Sequence, residues 1–271
     1  MCRGRANSDE TQRCLARTIP PMTCRVSAIE SDSGLSRKPI PADERLIFAL
    51  DVDTSEEAKR LVEQLGENVR FYKLGLQLFM SRGYHELVEW LTQRGKKSFV
   101  DLKFFDVPRT VASAVRQLKN LKAEFATVHG TDEILKAAIK EKNGIKILSV
   151  TVLTSFDDAD LKDLGLQVDV KTLVLSRARR ALEIGCDGVI SSGLEAEELR
   201  SNLGNNFLII VPGIRPSANI EDDQKRTVDV EEAFRKGADY IVVGRPIREA
   251  PNPAMAATDI QTRIRNLFGS G

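Results

Sequence analysis

Histidine and cysteine are scarce in this chain of 271 residues, with two of the first and four of the second. The cysteines are Cys2, Cys14, Cys24 and Cys186. They lack metal-ligand spacing and no histidine cluster accompanies them, so the sequence offers no metal site. A disulfide framework is not expected either, and a reducing cytoplasm is the simpler setting. No run of 18 apolar residues occurs, which excludes a transmembrane helix, and the N-terminus has arginines without the continuous apolar stretch of a secretory signal. Neither sign of charge dominates: 40 basic residues face 39 acidic ones. Nothing global therefore argues for a nucleic-acid or membrane partner, and any anion has to be held by a local site. No GxGxxG follows the first apolar run and no P-loop is present, so nucleotide-dependent redox and kinase reactions drop out. An enzyme without a cofactor is the economical inference.

What the sequence does have is alternation, and it begins only after a tail. Residues 1–43 mix Arg, Ser, Asp, Thr and Pro with little periodicity and read as a flexible N-terminal extension. The extension is a dispensable segment, a targeting segment, or the result of a start codon assigned upstream of a true start at Met22. From residue 44 to 271 short apolar runs alternate with amphipathic stretches. The runs are LIFALDV (46–52), VRFYKLG (69–75), KSFVDLK (97–103), EFATVHG (124–130), IKILSVTVLTS (145–155), CDGVISSG (186–193), NFLIIVPGI (206–214) and DYIVVGRPI (239–247). Helical stretches are expected at 54–66, 77–95, 107–121, 131–144, 170–185, 195–204, 230–238 and 252–269, several opened by Thr, Ser or Asp. Eight strand and helix pairs in strict order predict a single-domain (β/α)8 barrel of the TIM type rather than an open doubly wound sheet. The near-continuous apolar strands fit a parallel sheet covered on both faces.

In such a barrel the C-terminal ends of the strands build the active site, so polar residues there carry functional weight. In order they are Asp51, Lys73, Asp101 with Lys103, His129, Thr154 with Ser155, Ser191 with Ser192, Pro212 with Gly213, and Gly244 with Arg245. Each has a plain alternative. Asp51 can cap the next helix, although Asp53, Thr54 and Ser55 already offer caps. Lys73 lies inside an apolar strand, where an ammonium needs a carboxylate such as Asp51. His129 reads equally as a satisfied structural histidine or as a catalytic one. Asp101 and Lys103 could be a structural ion pair, but Asp106 follows in the adjoining loop and Lys73 is near. Alternating carboxylates and ammoniums in a dry pocket hold a lysine charged and aimed, which proton delivery to carbon requires. PGIRP (212–216) and VVGRPI (242–247) place glycines beside Arg215 and Arg245, after the two strands whose loops usually bind phosphate in this fold. A phosphate monoester substrate is expected.

These residues carry a resemblance. ALDVD (49–53), YKLGLQLF (72–79), DLKFFDVPRTV (101–111), TVLTS (151–155), PGIRP (212–216), DDQKR (222–226) and GADYIVVGRPI (237–247) follow in order, and together the chain resembles the orotidine 5′-phosphate decarboxylase family from residue 45 to about 268. The resemblance implies cofactor-free, metal-free decarboxylation of orotidine 5′-monophosphate to UMP and carbon dioxide, the last step of UMP synthesis. It implies Lys103 as the acid that protonates C6 of the pyrimidine, with Asp101 beside the substrate carboxylate and Lys73 and Asp106 completing the charged network. Asp51 and Lys73 would hold the ribose hydroxyls, Thr154 the pyrimidine, Gln224 both base and phosphate, and Arg245 with Gly244 and Arg215 the phosphate. Asp106 and Thr110 would reach the neighbouring subunit's site, making a homodimer the working unit. The chain departs from the family pattern at Phe105, Arg109 and Val211, which affects packing, the dimer contact and the edge of the pyrimidine pocket. Two rivals stand beside this reading. One is a sibling barrel enzyme that uses a metal ion on a sugar phosphate, which would want an acidic ligand where this chain has Lys73. The other is a barrel that binds UMP-like ligands without turnover.

Overall fold

Eight parallel strands close on themselves in chain order, β1 beside both β2 and β8. They are β1 (Leu46–Ala49), β2 (Phe71–Gly75), β3 (Lys97–Phe104), β4 (Phe125–His129), β5 (Lys146–Val150), β6 (Gly188–Ile190), β7 (Leu208–Val211) and β8 (Tyr240–Val243). This computed structural model describes residues 34–216 and 227–269. The expected (β/α)8 barrel is the fold observed.

The apolar runs form strands because both of their faces are buried. Val100, Leu102 and Phe104 on β3 join the shell between sheet and helices, while Phe99 points into the barrel with Ile47, Phe71, Phe125, Ile210 and Tyr240. Inside, Phe125 meets Phe71 at 4.9 Å and Tyr240 at 5.2 Å between ring centroids, so tilted aromatic rings fill the lumen. The lumen is a packed core that ends below the mouth.

Several of the helices start where a side-chain cap offers an acceptor. Thr54 caps Ser55–Leu65 by accepting from the Glu57 amide at 3.1 Å, Asp169 caps Val170–Ile184 through the Thr172 amide at 2.8 Å, and Asn252 caps Pro253–Phe268 through the Met255 amide at 3.1 Å. The stretch 77–95 is two helices, Leu76–Phe79 and Tyr84–Gln93. Gly83 breaks it with φ +81°, and a Cβ there would stand 3.0 Å from the Ser55 hydroxyl. β8 ends at Val243, and after Gly244 the chain forms one helical turn, Arg245–Arg248, whose first-turn Pro246 sits where a missing amide costs nothing. An additional short helix, Asp158–Asp163, carries a reciprocal cap between Asp157 and Asp160.

The described residues just before residue 44 pack against the barrel. Ser36 and Lys38 donate to the Asp239 carboxylate, Lys38 at 3.0 Å, and Ile40 packs on the interior cluster. Asp239 has no exposed surface and further accepts from Arg200 at 2.6 Å and from the Ile209 amide at 2.9 Å. The segment from residue 34 thus packs onto the barrel because Asp239 needs its donors.

Candidate active site

The mouth of the barrel, at the C-terminal ends of the strands, opens into a cavity of ≈ 580 Å³. Eight of the expected site residues line it: Asp51, Lys73, Asp101, Lys103, Thr154, Arg215, Gly244 and Arg245. Lys73, Asp101 and Lys103 stand in the C-terminal halves of β2 and β3, and the others lie in the loops that follow β1, β5, β7 and β8.

The floor is a chain of alternating charges. Lys73 Nζ lies 3.1 Å from Asp51 Oδ1 and 3.5 Å from Asp101 Oδ2, and Lys103 Nζ lies 3.0 Å from Asp101 Oδ1. Gly75 keeps this arrangement open, since a Cβ there would come within 3.2 Å of Lys73 Nζ and 3.4 Å of Asp51 Oδ1. Burial works against the charge on Asp101, but the Lys73 and Lys103 ammoniums outweigh it and hold the carboxyl below its ordinary range. Burial likewise opposes the charge on Lys73, and Asp101 and Asp51 together outweigh it, raising its pKa. Asp101 and Lys73 thus favour their charged forms because each offsets the other's burial.

β3 reaches the floor through an irregularity. Four residue steps from Val100 to Phe104 on β3 face two from Ala126 to Val128 on β4, so β3 carries two extra residues at its tip. Lys103 sits there with φ +48°, in the left-handed region. Its amide donates to the Thr127 hydroxyl at 2.9 Å, and that hydroxyl donates to Asp101 Oδ1 at 2.9 Å. Sequence reasoning did not single out Thr127.

The rim carries the cations suited to a phosphate. Arg215 and Arg245 line the cavity beside Pro212, Gly213 and Gly244, in the loops after β7 and β8. Arg248 and Gln77 also line it and were not anticipated. Arg248 donates to the Asp51 carbonyl at 2.6 Å, and Gln77 to Asp53 Oδ1 at 2.7 Å, so both fix the loop that presents Asp51. The only sequence signal for Arg248 was its place three residues after Arg245.

Two of the expected residues that are described do not line the cavity. Asp106 and Thr110 are exposed beyond β3, with Asp106 Oδ1 accepting from the Val107 amide at 2.6 Å, and Gln224 lies outside the described residues. His129 stands beside the cavity, edge-on to Phe105 at 5.2 Å. Its Nδ1 is buried without a hydrogen-bond partner among the described residues. Burial first, then the positive charges of Arg177 and Lys103, push the imidazole below its ordinary pKa.

Fold and site together define a (β/α)8-barrel enzyme. The model of the orotidine 5′-phosphate decarboxylase / HUMPS family matches residues 44–260. A Methylococcus capsulatus protein named orotidine 5′-phosphate decarboxylase is 58% identical over 238 residues, covering 88% of this chain and 98% of that protein. A Xanthomonas euvesicatoria protein of the same name is 48% identical, covering 85% of this chain and 97% of its own length. Among solved structures, orotidine 5′-phosphate decarboxylase from Lactobacillus acidophilus superposes with a TM-score of 0.72 at 35% identity, covering 82% of this chain and 99% of that one. The chain belongs to the orotidine 5′-phosphate decarboxylase / HUMPS family.

Proposed function

We propose that the protein decarboxylates orotidine 5′-monophosphate to UMP and carbon dioxide in the last step of UMP synthesis, with a lysine as proton donor and no metal. The observation that carries this reading is the Asp51–Lys73–Asp101–Lys103 chain on the floor of a cavity rimmed by Arg215 and Arg245. The relatives that cover most of this chain bear the decarboxylase name. An ammonium from the chain itself, Lys73, fills the space between two carboxylates that a sibling enzyme would give to a cation.

In this mechanism Arg245, Arg215 and the glycine backbone at 213 and 244 hold the phosphate, a task for which guanidinium geometry is suited. Gln224 bridges base and phosphate, Thr154 contacts the pyrimidine, and Asp51 with Lys73 holds the ribose hydroxyls. The substrate carboxylate is then set beside ionised Asp101. The C6–carboxylate bond breaks, its electron pair stays on C6, carbon dioxide leaves and a proton passes from Lys103 Nζ to C6. The vinyl carbanion has little resonance relief, so an ammonium fixed beside C6 stabilises the transition state more than the ground state. Enzymes of this kind remove on the order of 20 kcal/mol from the barrier.

The working unit in this reading is a homodimer in which Asp106 and Thr110 enter the partner's site. Support comes from Phe105 and Val107, which flank Asp106 and are 66% and 62% exposed. A cytoplasmic location belongs to the same reading, and Cys186, a free and buried thiol, suits it. Among the described residues no helix is long and apolar enough to cross a membrane.

The deciding experiment follows the absorbance of orotidine 5′-monophosphate after adding purified protein in EDTA. Loss of the orotate chromophore is expected. A silent trace rejects the reading, and activity that EDTA abolishes favours the metal-dependent sibling. Mixing inactive Asp106→Ala and Lys103→Ala subunits tests the shared site: partial activity returns if residues cross between subunits, and none if each site is self-contained.

A further inference from the structure

We propose that Thr127 is the positioning residue of the proton donor, fastening the backbone and, through Asp101, the side-chain end of Lys103. The inference rests on the decarboxylase reading and deepens it. Thr127 lies at the middle of β4 with no exposed surface, where a hydroxyl needs only some partner. Its two partners are what distinguish it.

The two extra residues on β3 break the ladder opposite Thr127, so the Lys103 amide has lost its regular strand acceptor. The Thr127 hydroxyl takes that place at 2.9 Å. A hydroxyl has a single hydrogen. With Oγ1 accepting from the amide, that hydrogen is directed to Asp101 Oδ1, also at 2.9 Å. The same Asp101 oxygen receives Lys103 Nζ at 3.0 Å. A closed ring results: the Lys103 amide donates to Thr127, Thr127 donates to Asp101, and the Lys103 ammonium donates to the same Asp101 oxygen. The left-handed backbone at Lys103, φ +48°, is thereby tied to the direction of its own side chain.

Two consequences follow for the reaction. Without the hydroxyl, the tip of β3 is free to relax toward an ordinary strand, and the ammonium moves relative to C6. Misplacement by about 1 Å costs on the order of 100-fold in rate. Asp101 also loses one donor that favours its charged form, while its two lysine partners remain. Phosphate binding at Arg215 and Arg245 lies on the opposite rim and is untouched.

The test uses Thr127→Val, which keeps the shape and removes the hydroxyl, and Thr127→Ser, which restores it; Thr127→Ala takes the same readings should the valine variant not fold. Orotidine 5′-monophosphate turnover is measured beside wild type, together with UMP affinity. Asp101 is titrated separately by ¹³C NMR of aspartate-labelled protein. We expect kcat to fall about 10- to 100-fold in Thr127→Val with KM and UMP affinity within about threefold, and Thr127→Ser to recover to within about threefold. The Asp101 carboxyl is expected to titrate at higher pH in Thr127→Val than in wild type. A valine variant with kcat within threefold of an active wild type overturns the proposal. So does a loss expressed in KM and UMP affinity, or one that serine fails to rescue. If wild type itself does not decarboxylate, the decarboxylase reading falls, and the NMR titration still decides the ring: an unmoved Asp101 rejects it.

Discussion

The two ends of the barrel solve the same problem differently. At the N-terminal end Asp239 is fully enclosed, and Ser36, Lys38, Arg200 and the Ile209 amide all donate to it. At the mouth, Asp101 is nearly as buried, but its lysine partners face a cavity. Both carboxylates are compensated by cations and hydrogen bonds, as burial demands. Only the second leaves its cations within reach of a ligand. A buried ion cluster at one end of this barrel is a fastening, and at the other end the proposed mechanism makes it chemistry.

The comparison breaks most sharply if the two clusters are cut in turn. Lys103→Ala should lower kcat for orotidine 5′-monophosphate by at least about 10³-fold while UMP still binds and the unfolding midpoint in urea barely moves. Asp239→Asn should do the reverse. It leaves the Lys38 and Arg200 charges without a counter-ion, costing about 3–5 kcal/mol in urea denaturation with kcat and KM within about twofold. Should Asp239→Asn impair turnover as strongly as Lys103→Ala, the division between the two ends would be wrong.

A third, smaller effect concerns pH. Asp101 is depressed, so its contribution to stability is present above the unfolded carboxyl pKa near 4 and is lost only as pH falls through the still lower folded value. Lys73 is raised, so its contribution holds below about 10.5 and is lost only as pH rises through the higher folded value. The pair is therefore silent between pH 5 and 9. His129 differs, because its lowered pKa means that the unfolded chain binds the proton more readily, and stability declines as pH falls through about 6.5. Urea unfolding at pH 7, 6 and 5 should show that decline, and His129→Asn should lessen it by about 1 kcal/mol or less. An identical slope in the variant would show that His129 is not its source.

How far the sequence reaches depends on whether a feature is carried by pattern or by an interruption of pattern. The strands were legible because their runs are apolar throughout, though LSVTVLTS continues to read as strand beyond Val150, where the ladder stops and Thr151 turns its hydroxyl to the Ile190 carbonyl. Asp51, Lys73, Asp101, Lys103, Thr154, Arg215, Gly244 and Arg245 were legible from their places at strand ends and in the loops after them, although His129, Ser191 and Ser192 meet the same criterion and do not line the cavity. Thr127 was not, because threonine inside FATVH looks like an ordinary strand residue. Its importance comes from the extra length of β3, which the intact alternation of Val100, Leu102 and Phe104 conceals. Arg248 was hidden for a related reason, since the turn that carries it continues a run that reads as β8. The split of 77–95 was readable in retrospect from Ser81, Arg82 and Gly83 alone.

The left-handed conformation of Lys103 also bears on how this enzyme could be improved or lost. A side chain with a Cβ in that region costs roughly 1–2 kcal/mol that glycine does not. On the proposed mechanism, glycine at position 103 would relieve that backbone cost and remove the proton donor with it, at the expense of one of the two ammoniums that offset the burial of Asp101. A screen for robust variants of this enzyme needs an activity gate from its first round, because the backbone at position 103 rewards loss of the residue to which the proposed mechanism assigns the proton.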